Sequence, residues 1–133
     1  MTDCLFCKII NREIPSDIVY EDDKVIAFLD IHPVNKGHTL VLPKQHYENL
    51  FDVPENILIN TMKTVKKIAV ALSKYSDGVN VGQNNRMAAG QLVDHIHFHL
   101  IPRFNEDGLK HWPGKKYQEG ESKKVADEIK KLL

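Results

Sequence analysis

Three histidines alternate with apolar residues in the stretch Asp94-His95-Ile96-His97-Phe98-His99-Leu100-Ile101. Successive side chains of a β-strand project from opposite faces, so this pattern predicts that the three imidazoles share one face and the apolar groups share the other. A buried ring nitrogen without a hydrogen-bond partner costs about 1–3 kcal/mol, so packing alone does not account for three adjacent imidazoles. The row therefore indicates a functional site.

Two kinds of chemistry suit such a row. Two histidines at positions i and i+2 of one strand can chelate a metal ion, and the third can complete a three-histidine catalytic site that keeps one coordination position open. Alternatively, because an imidazole is largely neutral near pH 7, one histidine can attack an electrophile while a neighbour transfers protons. The row by itself leaves both possibilities open.

The chain has 133 residues, which predicts a single domain spanning 1–133. Its 18 basic and 18 acidic residues give a formal net charge of zero, which argues against broad electrostatic binding to nucleic acid or to a membrane surface. The N-terminus has no signal-peptide pattern, and no apolar run approaches the ~18 residues of a membrane span. We therefore expect a cytoplasmic protein whose Cys4 and Cys7 are thiols rather than a structural disulfide.

Hydrophobic periodicity and turn residues predict a mixed order of elements. They are a short helical or turn segment over 4–12, strands over 17–21 and 25–29, a third strand over 38–42, a long helix from 54 to about 75, a fourth strand over 78–83 and a fifth over the histidine row. A loop over 103–120 and a lysine-rich helix from Ser122 complete the chain. A long helix packed on an antiparallel sheet gives the α+β class.

The histidine row, preceded by Ala89-Gly90-Gln91, resembles the signature of the histidine triad (HIT) family, and of its nucleotide-binding branch in particular. Five further stretches match in family order: 4–10, 13–16, 20–23, 28–31 and 37–44. The resemblance covers residues 4–103 and is weak over 104–133. It implies a homodimer in which each subunit contributes five antiparallel strands to one shared sheet. It also implies binding of purine nucleotides and cleavage or transfer at the α-phosphate.

The resemblance also implies roles for individual residues. His97 matches the nucleophile that forms a nucleotidyl-histidine, His99 the second active-site imidazole and His38 a supporting histidine. The positions that match the phosphate-binding group are Asn84, Gly90, Gln91 and Leu92, with Gln91 expected to offer its side-chain amide. Many members of the branch have Ser or Thr where this chain has Leu92, so a hydroxyl donor to the leaving group is absent here.

For the nucleoside, Asp30 matches the family position that accepts hydrogen bonds from the ribose hydroxyls. The residues that match an apolar slot for the base are Leu5, Phe6, Ile9 and Ile31, for which plain core packing is the alternative. His32 and His111 carry no functional prediction and are expected to face solvent. Trp112 resembles an aromatic residue that caps the pocket of the partner subunit, although C-terminal packing is an equal alternative.

The pair Cys4-x-x-Cys7 is compatible with a redox motif or with two small buried residues. Some bacterial-type members of the family use this pair with two histidines to hold zinc, and the matching histidines here are His46 and His95. A closed set of two cysteines and two histidines would be a structural site. Strict alternation directs His95 to the same side as His97, so a twist or bulge would have to turn its ring away.

Three hypotheses about function follow. The first is a nucleotide hydrolase or transferase that acts through His97. The second is a nucleotide-binding or scaffold protein with only incidental hydrolysis, which Leu92 favours. The third is a metallohydrolase in which all three histidines of the row are metal ligands.

Overall fold

A computed structural model describes residues 3–133. In chain order the elements are α1 (Leu5–Ile10), β1 (Ile18–Glu21), β2 (Val25–Leu29), β3 (Thr39–Pro43), α2 (Glu55–Ser73), β4 (Gly78–Gln83), a single 3₁₀ turn (Met87–Ala89), β5 (Phe98–Arg103) and α3 (Glu121–Lys130). The strands form one antiparallel sheet in the order β1-β2-β3-β5-β4. The predicted α+β class is confirmed.

The sheet is covered on both faces near its centre, which explains why β2 and β3 are continuous apolar runs. One hydrophobic cluster, which includes Val41 and Phe98, lies between the sheet and α2. The other includes Phe28 and Leu40 and packs against the short helix α1. Alternation along β5 directs Phe98 towards α2, so His97 and His99 face the α1 side.

The histidine row departs from the predicted strand over 94–101, because β5 begins only at Phe98. The ladder with β3 ends at the pair Val41 and Phe98, although β3 itself continues to Pro43. Continuing the register would place Ile96 opposite Pro43, which has no N–H to donate to a ladder. Residues 94–97 therefore leave the sheet, and other contacts hold His95 and His97.

The C-terminal region makes little contact with the sheet. No residue of α3 is buried, and Trp112 has an exposed fraction of 92%. Among the helices of residues 3–133, none has the length and apolar character that a bilayer crossing requires.

The turn before β3 depends on Gly37. Its φ is +94°, and a Cβ atom built on it would lie 3.0 Å from Cε2 of Tyr75 and 3.1 Å from Cγ of Pro102. Left-handed backbone costs other residues about 1–2 kcal/mol, and the close contacts add to this cost. Gly37→Ala should therefore lower the free energy of unfolding in urea by about 2–3 kcal/mol.

The matched control is Gly114→Ala, because a Cβ atom at Gly114 would meet no atom within 4 Å. This control should stay within about 0.5 kcal/mol of the parent protein. Equal stability of the two variants would show that the turn at Gly37 tolerates a side chain.

Candidate functional site

A cavity of about 450 Å³ opens between α1, the end of β2 and the histidine row. Its walls are mostly apolar with a few polar groups, the usual character of a small-molecule site. Of the residues singled out from the sequence, the cavity is lined by Leu5, Phe6, Ile9, Asp30, Ile31, Asn84, Gly90, Leu92, His97 and His99.

His38 and His99 form a hydrogen-bonded chain whose proton positions the backbone determines. The N–H of Val34 donates to Nδ1 of His38 (3.1 Å), so a neutral His38 carries its proton on Nε2. That Nε2–H donates to Nδ1 of His99 at 2.9 Å. Consequently the proton of a neutral His99 lies on Nε2, and this nitrogen is a donor for a ligand in the cavity.

His97 has the opposite arrangement. Its Nδ1 lies 2.7 Å from the carbonyl oxygen of His95, and because a carbonyl only accepts, Nδ1 carries the proton. Nε2 of a neutral His97 therefore holds a free lone pair. The ring lines the cavity and packs edge-on against Phe6, with ring centroids 4.9 Å apart. The site thus contains an unprotonated, oriented nitrogen, which a nucleophile requires.

The surroundings keep these imidazoles neutral. Burial is the main cause that lowers the pKa of His38, His97 and His99 below the ordinary histidine value. The carboxylate of Asp30 opposes this effect for all three, with its Oδ2 3.7 Å from Nε2 of His38. Burial outweighs this single carboxylate, so the neutral forms predominate near pH 7.

The residues predicted for the nucleoside border one side of the cavity. Asp30 accepts a hydrogen bond from the N–H of His32 through Oδ1 (2.9 Å). Phe6 and Ile9 are buried in the core and also line the cavity, and their role as a slot for the base stays a prediction. Leu5 and Ile31 are exposed at the cavity and do not belong to the core.

The loop before the histidine row forms another wall. Gly90 has a φ of +89°, a conformation that favours glycine, and a Cβ atom built on it would lie 3.7 Å from Nδ2 of Asn84. Leu92 projects an apolar side chain with an exposed fraction of 82%. Asn84, Gly90 and Leu92 therefore line the cavity, and their contact with phosphate stays a prediction.

The prediction for the side chain of Gln91 is wrong. This residue is fully buried and does not line the cavity. Its Nε2 donates to the carbonyl oxygens of Glu48 (2.6 Å) and Val93 (3.0 Å), and its Oε1 accepts from the N–H of Arg86 (2.8 Å). Because these bonds occupy the amide, Gln91 holds the loop in shape and has no group left for phosphate.

A second cluster brings together Cys4, Cys7, His46 and His95, whose ligand atoms all lie within 4.8 Å of one another. Nδ1 of His95 lies 3.5 Å from Sγ of Cys4, 3.6 Å from Sγ of Cys7 and 3.2 Å from Nδ1 of His46. The ring of His95 faces this cluster, whereas the ring of His97 lines the cavity. This group of four can hold a metal ion.

The ring of His95 is prepared for coordination. Its Nε2 donates to the carbonyl oxygen of Pro43 at 2.8 Å, so the lone pair lies on Nδ1, which faces the cluster. Burial lowers the pKa of His95 to about 4, which keeps the ring neutral. Burial also raises the pKa of Cys7 to about 11, so a metal ion that binds there has to displace the thiol proton.

These positions contradict the hypothesis of a three-histidine metallohydrolase. His95 points into the cysteine cluster, while His97 and His99 face the cavity, so the three rings do not converge. Asp30, His38 and His99 also lie close together. The proton that His38 donates to His99 occupies the nitrogen a metal would need, so these residues form a proton-bearing chain.

Several features of the site cannot be predicted from the types of residue in the sequence. The carbonyl oxygens of Pro43 and His95 set the protonated nitrogens of His95 and His97, and any residue can supply a carbonyl. His32 and His111 are exposed, as predicted, but His32 also lines the cavity. One indication in the sequence that His32 would line the cavity is its position two residues after Asp30.

Comparison with known proteins gives a consistent family. The family model for the HIT domain matches residues 11–106. An uncharacterized HIT-like protein of Methanocaldococcus jannaschii is 57% identical over 106 residues, which are 79% of this chain and 82% of that protein. The adenosine 5'-monophosphoramidase HNT1 of Saccharomyces cerevisiae is 43% identical over 132 residues, or 98% of this chain and 80% of that enzyme. A crystal structure of a HIT family member from Bacillus subtilis superposes with a TM-score of 0.89 at 41% identity, covering 98% of this chain and 97% of that one. The chain belongs to the HIT family.

Proposed function

We propose that the protein is a nucleotide hydrolase that cleaves adenosine or related purine nucleotides at the α-phosphate through a covalent nucleotidyl intermediate on His97. The observation that carries this proposal is the free lone pair on Nε2 of His97 beside the cavity. The name of the yeast relative, adenosine 5'-monophosphoramidase, supports a phosphoramidate as one substrate.

In the proposed reaction, Nε2 of His97 attacks the α-phosphorus while the bond to the leaving group breaks. The ring becomes positively charged, and its Nδ1–H remains bonded to the carbonyl oxygen of His95, which stabilises that charge. Water then attacks the same phosphorus, releases the nucleoside monophosphate and restores the imidazole. Two displacements replace one difficult attack by water, which is the general advantage of covalent catalysis.

The phosphate oxygens need preorganised donors, because positioning and charge stabilisation dominate phosphoryl transfer. The Nε2–H of His99, fixed by the hydrogen bond from His38, is one such donor, and the ring of His99 lies beside that of His97 with centroids 4.9 Å apart. The side-chain amide of Asn84 and the backbone N–H groups after Gly90 are further candidates at the same cavity. The role of Gln91 is to maintain this loop.

The nucleoside occupies the apolar side of the cavity in this proposal. The carboxylate of Asp30 accepts hydrogen bonds from the ribose hydroxyls, and the base lies against Phe6 and the neighbouring aliphatic side chains of Leu5, Ile9 and Ile31. Asp30 keeps Oδ2 for this role, because the N–H of His32 binds only Oδ1.

Leu92 favours a second candidate function, a nucleotide-binding protein with slow turnover. Its exposed alkyl side chain borders the cavity and cannot donate a proton to a leaving group. An amine is a poor leaving group unless it is protonated, so this residue slows phosphoramidate cleavage more than cleavage at a phosphoanhydride. Measured turnover distinguishes this candidate from an efficient enzyme.

The cluster of two cysteines and two histidines fits zinc as a structural ion. A tetrahedral zinc site requires about 3.3–3.4 Å between two nitrogens and about 3.5–3.6 Å between a nitrogen and a sulfur, given the usual bond lengths. The corresponding distances are 3.2 Å for the two histidines and 3.5, 3.5 and 3.6 Å for the histidine and cysteine pairs. Zinc would link α1 to the segments around His46 and His95, and all four of its ligands would come from the protein.

A homodimer is the assembly best suited to the exposed edge of the sheet. β4 lies at that edge and has exposed residues, including Val81. The neighbouring helix α2 exposes Ile59, Met62 and Val70. A second copy that pairs with this edge would cover unpaired backbone groups and apolar side chains together. Reduced cysteines that bind zinc suit the cytoplasm, the compartment that the sequence predicts.

Replacing the nucleophile tests the proposed reaction. His97→Ala should lower kcat for an adenosine phosphoramidate by at least about 10³-fold, because no other described group offers a lone pair at that place. Nucleotide affinity, measured by calorimetry, should change little. Mass spectrometry of the acid-quenched parent protein should detect a nucleotide linked to His97.

His111→Ala is the matched control, since His111 is exposed and lies away from the cavity. It should retain full turnover. Undiminished turnover in His97→Ala would disprove the covalent mechanism, and tight binding with no turnover in the parent protein would favour the second candidate function.

The buried His38 makes stability depend on pH. Burial lowers its pKa in the folded state below the ordinary 6.5, so the unfolded chain takes up this proton first as the pH falls. The free energy of unfolding should therefore decrease as the pH drops below about 6.5. Urea titrations across this range should give a shallower decrease for His38→Asn, by up to about 1.4 kcal/mol per pH unit. The exposed His111→Asn should reproduce the parent slope, and an unchanged slope in His38→Asn would contradict this explanation.

Zinc should stabilise the fold. At a free zinc concentration of about 100 times Kd, the folded state gains about 2.7 kcal/mol, so the Tm measured by calorimetry should rise with added zinc. Cys7→Ser should lose most of this increase, whereas His32→Ala, outside the cluster, should keep it. A Tm that does not respond to zinc in the chelator-treated parent protein would contradict a structural zinc site.

A further inference from the structure

His95 belongs to both sites. Its ring nitrogen Nδ1 faces the cysteine cluster, and its carbonyl oxygen accepts the hydrogen bond that orients His97 (2.7 Å). We propose that His95 is a positioning residue through which metal binding in the cluster fixes the reactive orientation of His97. The catalytic consequence rests on the proposed function, whereas the structural coupling does not.

The peptide unit between His95 and Ile96 carries the coupling. Its carbonyl holds His97, and its N–H donates to the carbonyl oxygen of Tyr47 at 2.8 Å. Tyr47 directly follows His46, another residue of the cluster. An ion bound between His46 and His95 would therefore fix both segments that determine the plane of this peptide, and with it the direction of the carbonyl.

The sheet does not provide an alternative support. β5 begins at Phe98, and in the part of the chain from 3 to 133 no ladder hydrogen bond reaches residues 94–97. The segment is anchored by the contact with Tyr47, by the bond from the ring of His95 to the carbonyl of Pro43 and by the buried side chain of Ile96. The burial of Ile96 fixes the position of the segment, and the cluster acts on the direction of the His95 carbonyl.

In this proposal, a bound ion keeps the cluster closed. The lone pair on Nδ1 of His95 points to the centre of the cluster. Nδ1 of His46 lies 3.2 Å away, and the sulfurs of Cys4 and Cys7 lie beside the two nitrogens. Thiols are weak donors, so hydrogen bonds between these atoms are a poor substitute for coordination. Loss of the ion therefore loosens the link between His46 and His95, and the carbonyl that holds His97 gains freedom to rotate.

The expected effect is a loss of orientation at the nucleophile. A displacement of about 1 Å at a reacting group lowers the rate by up to about 100-fold, so we expect kcat to fall by about 10- to 100-fold without the ion. KM also responds to the ion, because Leu5 and Phe6 of the proposed base slot lie between Cys4 and Cys7, so kcat is the kinetic constant that reports the orientation of His97.

The experiment compares the zinc-loaded parent protein, the chelator-stripped parent protein and His46→Ala. His46→Ala removes one residue of the cluster and leaves the hydrogen bonds of His95 and His97 chemically possible. Long-range ¹H–¹⁵N correlation spectra report which ring nitrogen of His97 carries the proton, and they need no turnover. Steady-state kinetics with an adenosine phosphoramidate give kcat and KM for the same samples.

Val65→Ala is the matched control, because it removes buried volume between α2 and the sheet and so lowers stability without touching the cluster. The proposal expects a single Nδ1–H form of His97 in the loaded protein and in this control. It expects mixed protonation of the two ring nitrogens, with reduced kcat, in the stripped protein and in His46→Ala.

Three results would overturn the coupling. They are an unchanged His97 spectrum and kcat without zinc, the same losses in Val65→Ala as in His46→Ala, or complete unfolding of both zinc-free samples, which would mean that the ion acts on the whole fold. If the loaded protein binds nucleotides without cleaving them, the proposed function fails, and the spectra of His97 still decide the coupling.

Discussion

The hydrogen bond from Nδ1–H of His97 to the carbonyl oxygen of His95 is the constraint on which the site depends. It determines which ring nitrogen is free, and burial keeps the ring neutral. Residues 94–97 precede β5, and within them the ring of His95 faces the cysteine cluster while the ring of His97 lines the cavity.

Patterns of residue types predicted most of the fold. Alternation and apolar runs predicted β1 to β4 closely, because each of these strands packs in a uniform environment along its length. Helical spacing predicted α2, whose first residue, Glu55, follows Pro54. The predicted start of β5 was wrong. A ladder continues only where the facing residue can donate a hydrogen bond, and Pro43 of β3, which would face Ile96, has no N–H.

The structure brings most of the predicted site residues together, whereas the hydrogen bonds that connect them could not be predicted from the sequence. His38, His97 and His99 lie together as their family positions imply, and Cys4, Cys7, His46 and His95 form one group. The buried position of Gln91 was not predicted, because the sequence does not distinguish an amide that binds a ligand from one that binds backbone carbonyls. Backbone carbonyls carry no sequence signal, so the groups that fix the imidazole protons emerge only from the fold.

Helix α1 shows how domain boundaries drawn from sequence similarity can divide a working unit. The match to the family model begins at residue 11, whereas Leu5–Ile10 and the preceding Cys4 lie before it. These six helical residues wall the cavity with Phe6 and supply Cys7 to the cluster. A protein trimmed to the matched range would keep all three histidines of the row. It would lack one wall of the cavity and both cysteines, which are two of the four donors of the cluster.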